Sequence, residues 1–200
     1  MADDAEEKAE KYAALALKHN IESPVALNLL ASIRLSQSRN DEAAALLEQS
    51  LSKWLGEDDD TTRLSYADRM NAVKLLLEVE RYDKAFEVLE ALQREDELNV
   101  ELWYFYTLAY YHNSQDGESR EDNWKNAREC AEMCLKMYQS CAWDDEELRD
   151  SCRDILKELE ESGISADKEN AEEEEEEEVD GEGDEDEWID SDGDVEMEGY

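Results

Sequence analysis

Four cysteines and two histidines are the residues of this chain best suited to nucleophilic or metal chemistry. Neither His19 nor His112 has a nucleophile beside it, and the sequence contains no glycine-rich phosphate loop. Cys130 and Cys134 lie four positions apart and can share a helix face, but two thiols do not complete a tetrahedral zinc site, and the other two cysteines lack CxxC spacing. We therefore expect no catalytic residues, no bound metal and no cofactor.

A segment near the end of the sequence, Asp190-Ser-Asp192-Gly-Asp194, resembles part of a calcium-binding loop. Its glycine comes too early, and the glutamate expected at the twelfth position of such a loop is missing. We expect only weak, non-specific attraction of cations to this segment. Ser191 is followed by acidic residues, as in the sites of acid-directed kinases, and its phosphorylation would increase the negative charge of this segment.

The acidic charge of the chain is concentrated at one end. The formal net charge is −38, and residues 166–200 hold 20 acidic residues and one lysine, which gives −19 for that stretch alone. A block of this density repels itself and has too little apolar surface to fold, so we predict a disordered acidic tail over 166–200. It would repel nucleic acid and anionic membranes and attract basic protein. The sequence therefore predicts a cationic protein partner, with no direct contact to nucleic acid or membrane.

Signals for export are absent from the sequence. Residues 1–10 are acidic where a secretory signal would be basic, and no apolar run is long enough for a membrane span. The cysteines lack the dense spacing of a disulfide framework, which favours reduced thiols. We expect a protein of the cytoplasm and nucleus.

A motif that begins with alanine and has a small residue or leucine at positions i+4 and i+7 recurs four times and defines the elements before the tail. Successive motifs are separated by 34, 42 and 42 residues, and a period near 34 is typical of the helix-turn-helix tetratricopeptide repeat. We assign the two longer spacings to loop insertions, at Gly56–Arg63 and at about Gln115–Asp122. The motifs begin at Ala9, Ala43, Ala85 and Ala127.

The turn between paired helices carries the most specific part of the pattern. Glu80-Arg-Tyr-Asp-Lys-Ala85 closely matches the turn of the tetratricopeptide repeat, with Glu80 in place of its glycine. Over residues 5–139 the chain resembles this family, although the first helix pair is incomplete: Ala5–His19 reads as a second helix without its partner. Residues 144–163 predict a further helix with acids at its start and one apolar stripe. We therefore predict an all-α tetratricopeptide-repeat solenoid over 1–165, with about three repeats and a capping helix.

In this fold the first helix of each repeat lines a concave surface, and here the third such helix is aromatic on both faces. Its outward positions are predicted to hold a partner, because exposed aromatic clusters usually mark contact sites. The alternative is that the capping helix or an insertion loop covers these rings. An acidic peptide is disfavoured as the partner because the surface is itself acidic. The predicted partner-binding residues are Glu101, Tyr104, Phe105, Leu108 and Tyr111, with Met70 and Asn28 on the preceding repeats.

The acidic tail contributes a further candidate contact, Trp188. It lies in a strongly acidic stretch beside Ile189. Two readings remain open: solvated disorder, or an acidic-aromatic element that docks on a basic partner or folds back into the repeat.

Within the tetratricopeptide proteins, the chain resembles the fungal dedicated assembly chaperones of large-subunit ribosomal protein four. The resemblance lies in residues 100–111, 124–135 and 146–159, and in the acidic end with Trp188. It implies a protein that holds an extended loop of a newly made basic ribosomal protein and releases this client to ribosomal RNA. We also expect a monomer that binds one client. A chaperone of histones or other basic proteins, and an adaptor in a multiprotein complex, are the alternatives.

Overall fold

The computed structural model describes residues 23–56, 64–113 and 119–164, with Lys8, Glu10, Lys11, Tyr12, Leu15 and Lys18 of the preceding segment. Those six residues are helical, and no strand occurs in the described part of the chain. The fold is all-α, as predicted. The remaining helices are α1 Pro24–Ser36, α2 Asn40–Leu51, α3 Tyr66–Glu78, α4 Tyr82–Gln93, α5 Val100–His112, α6 Ser119–Ser140 and α7 Glu146–Glu161.

The first helix of each pair, and α7, begins at a polar cap. Ser65 Oγ accepts a hydrogen bond from the Asp68 amide at 3.1 Å, and Asp145 Oδ1 accepts one from Leu148 at 3.0 Å. Such caps satisfy amide groups that have no partner within the helix. The remaining caps are Ser23 for α1 and Asn99 for α5.

The same tight turn joins α1 to α2 and α3 to α4. Ser38 and Glu80 adopt left-handed conformations, with φ of 58° and 59°. The amide of the next residue then bonds back to the end of the preceding helix, Arg39 to Arg34 at 2.8 Å and Arg81 to Leu76 at 2.9 Å. Glu80 thus occupies the position where the repeat signature carries a glycine, which adopts this conformation with less strain. The two helices of each pair run antiparallel.

The small residues of the repeated motif that the structure describes are buried. Ala43, Ala85 and Ala127 have no exposed surface, and neither does Cys134, the last small position of the fourth motif. A main apolar core runs from Ala31 to Cys130, and further clusters lie beneath α7. The periodicity therefore identified the buried face of each pair correctly.

One predicted boundary was wrong. The insertion predicted at about Gln115–Asp122 is partly helical, because α6 begins at Ser119. Glu121 and Asp122 stand in the first turn, where the helix dipole favours acids, and Arg120 lies 4.0 Å over the Trp124 ring. Residues 57–63 of the other predicted insertion, most of Ala5–His19 and all of the predicted tail lie outside the described residues.

The predicted capping helix is α7, which packs against both α5 and α6. Its apolar stripe is buried at Leu148, Cys152, Ile155 and Leu159, while Leu156 is half-buried. Gly163 follows the helix with φ of 90°, in the left-handed conformation typical of a helix end. Among the described residues, no helix combines the length and apolar character needed to cross a membrane.

Candidate functional site

A groove lies along the first helices of the second and third repeats and ends at the start of α7. It consists of a cavity of about 540 Å³ and an adjoining one of about 300 Å³. Lys74, Glu101 and Phe105 line both cavities, so the two form one continuous surface. The larger cavity is lined by Lys74, Leu77, Glu78, Glu101, Tyr104, Phe105, Leu108, His112, Asp145, Glu147 and Leu148.

The larger cavity combines apolar side chains with acidic ones. Leucines and aromatic rings from α3, α5 and α7 supply its apolar part. Among the described residues that line it are also four carboxylates and one ammonium group. These five groups carry a net charge of −3. Carboxylates beside an apolar surface raise the local concentration of cationic ligands. The groove therefore suits a peptide that carries both apolar and basic side chains.

Phe105 lies at the centre of this groove. Its ring is half-buried, packs against the main core and stands 5.8 Å from the Tyr104 ring at an interplanar angle of 39°. Leu108 lines the larger cavity one helical turn further along α5. Since the core holds Phe105 in place, it can contact a ligand at little cost in side-chain entropy. Glu101, predicted with these residues, is exposed and borders both cavities.

Tyr104 lines the groove and also contacts the capping helix. Its hydroxyl donates a hydrogen bond to Ser151 Oγ at 3.1 Å, and its ring packs on the cluster that contains Leu148 and Cys152. The ring is half-buried. Tyr104 therefore contributes to the binding surface and to the attachment of α7.

Tyr111 is placed differently from the prediction, because it does not border the larger or the adjoining cavity. Its hydroxyl donates a short hydrogen bond to Glu158, and its ring stacks on Trp124 at 6.5 Å and 16°. The hydrogen bond to Glu158, together with burial, raises the pKa of the Tyr111 hydroxyl. For this half-buried ring the structure favours the alternative given in the sequence analysis, in which the capping helix packs against it.

Asn28 was predicted on the concave surface but is only 3% exposed. Its helix turns Leu29, 51% exposed, outward instead, so Asn28 is not available for a partner in this structure. Met70 is also buried at 6% exposed, although it borders the smaller cavity beside Asn71. Trp188 lies outside the described residues, and its role stays a prediction.

The start of α7 supplies lining residues that sequence reasoning did not assign to the site. Asp145, Glu147 and Leu148 border the larger cavity, with Leu77 and Glu78 of α3 opposite. The acids before α7 were recognised as a helix start, but their approach to α3 depends on tertiary packing. No spacing within the sequence could have revealed it.

Three of the four cysteines are packing residues. Cys130, Cys134 and Cys152 are buried, and Cys141 is exposed. A hydrogen bond with Cys152, together with burial, raises the pKa of the Cys134 thiol, and burial raises that of Cys130 to about 12. Within the described residues, no group of three or more cysteine, histidine or acidic side chains is arranged to hold a metal ion.

Comparison with known proteins gives relatives that share one name. A protein of Schizosaccharomyces pombe named "Probable assembly chaperone of rpl4" is 35% identical over 186 residues, or 87% of this chain. A protein of Emericella nidulans with the same name is 32% identical over 216 residues, or 98% of this chain. The chain is related to these chaperones. The resemblance found in the sequence is thereby confirmed.

A solved structure agrees with this relationship. The "Assembly Chaperone of RpL4 (Acl4)", residues 1–338, superposes with a TM-score of 0.54 at 36% identity, over 56% of this chain and 40% of that one. The chain spans 55% of the length of each of the two sequence relatives. No family model matches the sequence. The repeat architecture therefore rests on the helix pairs themselves and on the solved relative.

Proposed function

We propose that this chain is a binding protein without catalytic activity, a dedicated chaperone of a newly made basic ribosomal protein. The client we propose is rpl4, for which the relatives are named. The observation that carries the proposal is the groove itself, where Phe105 and Leu108 lie among acids from three helices.

An extended loop of a ribosomal protein has the chemistry that this groove suits. Such loops are rich in lysine and arginine, and they lack a partner for their apolar residues until they meet RNA. Apolar side chains would pack on Phe105 and Leu108, while basic ones would lie near Glu78, Glu101 and Glu147. A chaperone that covers both kinds of side chain would keep its client soluble.

The acidic residues 166–200 would act on other basic surface of the same client. Their charge would compete with stray RNA, and the denser phosphates of ribosomal RNA would draw the client away at assembly. We further propose one client per monomer, and a place of action in the cytoplasm and the nucleus.

The proposal is tested by reversing the charge of the groove. Glu78→Lys, Glu101→Lys and Glu147→Lys are combined in the tagged full chain, alongside a Phe105→Ala variant. The matched control is Asp83→Lys, Asp122→Lys and Glu129→Lys, which changes three exposed acids outside the groove by the same total charge. Pull-down from cell extract should lose rpl4 with both groove variants and keep it with the control.

The same pull-down separates the other two classes of function. A histone chaperone would recover histones in place of rpl4. An adaptor would recover a set of partners that neither the groove variants nor deletion of 166–200 weakens. Retention of rpl4 by both groove variants would overturn the proposal that the groove holds the client.

A further inference from the structure

Lys74 is the one lysine or arginine among the described lining residues of a groove whose other charged residues are carboxylates, and it lies where the two cavities of the groove meet. It is exposed on α3, across from Phe105 and Glu101 of α5. In the described part of the chain, no ion pair joins Lys74 to another residue, although Glu78 lies one helical turn away on the same helix. Lys84 differs in this respect, since it pairs with Glu87 at 2.5 Å. The ammonium group of Lys74 is therefore available to a ligand.

The groove changes character from one end to the other. The carboxylates of Glu78, Asp145 and Glu147 border only the cavity next to α7, and the amides of Asn71 and Asn99 border only the adjoining cavity. Glu101 borders both, so the number of carboxylates falls from four to one along the groove. Asn99 Oδ1 accepts a hydrogen bond from the Leu102 amide at 3.2 Å, and this bond does not use the NH₂ group of Asn99, which is a donor. Lys74 thus supplies a donor at the junction of the two cavities, and the two amides supply donors at the end distant from α7.

We propose, on the basis of the function proposed above, that the groove selects an extended segment of mixed charge. Lysine or arginine would lie at the α7 end, an apolar side chain would pack on Phe105, and a carboxylate of the segment would pair with Lys74. The groove would thereby bind an aspartate or glutamate at a fixed distance from the basic residues of its client.

This arrangement discriminates among basic proteins. A segment that is basic along its whole length would set a cation against Lys74, and like charges in a partly desolvated contact reduce affinity. Carboxylates alone would attract any cationic chain, so they do not provide this selection. Lys74 would exclude uniformly basic segments from a groove that otherwise attracts them.

The test combines changes in the protein with changes in a synthetic peptide. The parent peptide has three lysines, a central Leu-Phe pair and one glutamate on the far side, and a second series reverses this order along the chain. In each series the glutamate is also replaced by glutamine or by lysine. Affinities are measured by fluorescence anisotropy for the full chain, for Lys74→Gln, and for Lys84→Gln as the control lysine outside the groove.

The glutamate peptide of one series should bind the unchanged protein about two- to fivefold more tightly than its glutamine counterpart, as expected for an exposed or partly exposed ion pair. The lysine peptide should bind more weakly than either. Lys74→Gln should remove the preference for glutamate, and Lys84→Gln should keep it.

Two outcomes separate this inference from the function on which it rests. Equal binding of the glutamate and glutamine peptides, or a preference that survives Lys74→Gln, overturns the assignment of Lys74 and leaves the groove as a site for cationic segments. Failure of every peptide in both orders to bind overturns the proposed groove and the assignment with it.

Discussion

The hydroxyl of Tyr104 on α5 donates a 3.1 Å hydrogen bond to Ser151 Oγ on α7. This contact joins a residue of the groove to the helix that closes the repeat array. One ring therefore serves two purposes, since one part of it borders the larger cavity and another part packs on α7. Substitutions of Tyr104 can separate its contribution to binding from its contribution to stability.

Tyr104→Phe should keep client binding and lower the free energy of unfolding by about 1 kcal/mol, because the ring stays and the hydrogen bond is lost. Tyr104→Ala should lower both the affinity and the stability, the latter by about 2 to 3 kcal/mol. Urea unfolding and a client pull-down measure the two effects. Full affinity in Tyr104→Ala, with the fold intact, would remove the ring from the binding surface.

The ion pair between Arg69 and Glu95 fastens the start of α3 to the chain after α4. Both contacts are 2.6 Å long, and Arg69 is only 4% exposed. Glu95→Ala should cost about 2 to 3 kcal/mol of unfolding free energy, because it leaves a buried guanidinium without this partner. Arg69→Met should cost less, since it removes the buried charge and the partly exposed glutamate can be hydrated. Chemical denaturation gives both values, and the reverse order would contradict this account.

Alkylation of the cysteines reports on their burial. Iodoacetamide at pH 8 should modify the exposed Cys141 of the folded protein and leave the three buried thiols intact. In denaturant all four should react, which intact mass spectrometry distinguishes. Cys141→Ser is the control and should remain unmodified while folded. Rapid modification of that variant would show that the packing around the buried cysteines opens readily.

Stability should fall at alkaline pH, and Tyr66 should account for part of the fall. Burial, with nearby acids, raises the pKa of this hydroxyl to about 12. The folded state therefore holds the proton more tightly than the unfolded state, so the stabilisation is complete below pH 10 and is lost between about pH 10 and pH 12. Among the described residues the buried hydroxyl has no hydrogen-bond partner. Tyr66→Phe should therefore be near neutral at pH 7 and more stable than the unchanged protein at pH 11, as thermal melts at the two values would show.

The affinity for the client should decrease with salt without vanishing, since charge supplies one part of the attraction and apolar contact another. Deletion of 166–200 should weaken binding and reduce its dependence on salt. Titrations at 50 and 300 mM NaCl, with and without these residues, measure both effects. A binding constant that is the same at both salt concentrations would contradict an electrostatic role for the acidic residues.

The buried faces of the helices could be predicted from the sequence because periodicity records them directly. Ala85 and Val73 lie twelve positions apart, and both are fully buried where the repeat requires a close approach. The start of α7 was likewise evident from Asp145 and the acids beside it, which suit the amino end of a helix.

The exposed face of α5 could be predicted only in part. Phe105 and Leu108 line the groove as expected, but Tyr111 lies beneath α7. Glu158, which accepts its hydrogen bond, is 47 positions later in the chain, and helical periodicity carries no information at that range. The predicted exposure of Asn28 was wrong for a related reason. A polar residue at the edge of an apolar stripe can face the core or the solvent, and Asn28 is buried.

The equal separation of the two contacts between α5 and α7 has a further consequence. Tyr104 bonds to Ser151 and Tyr111 to Glu158, so each pair spans 47 residues and the two helices run parallel in matching steps of seven. One residue inserted into α7 between Ser151 and Glu158 would rotate the second contact by about 100° around the helix axis. We therefore expect the capping helix to tolerate a substitution more readily than an insertion between these two contacts.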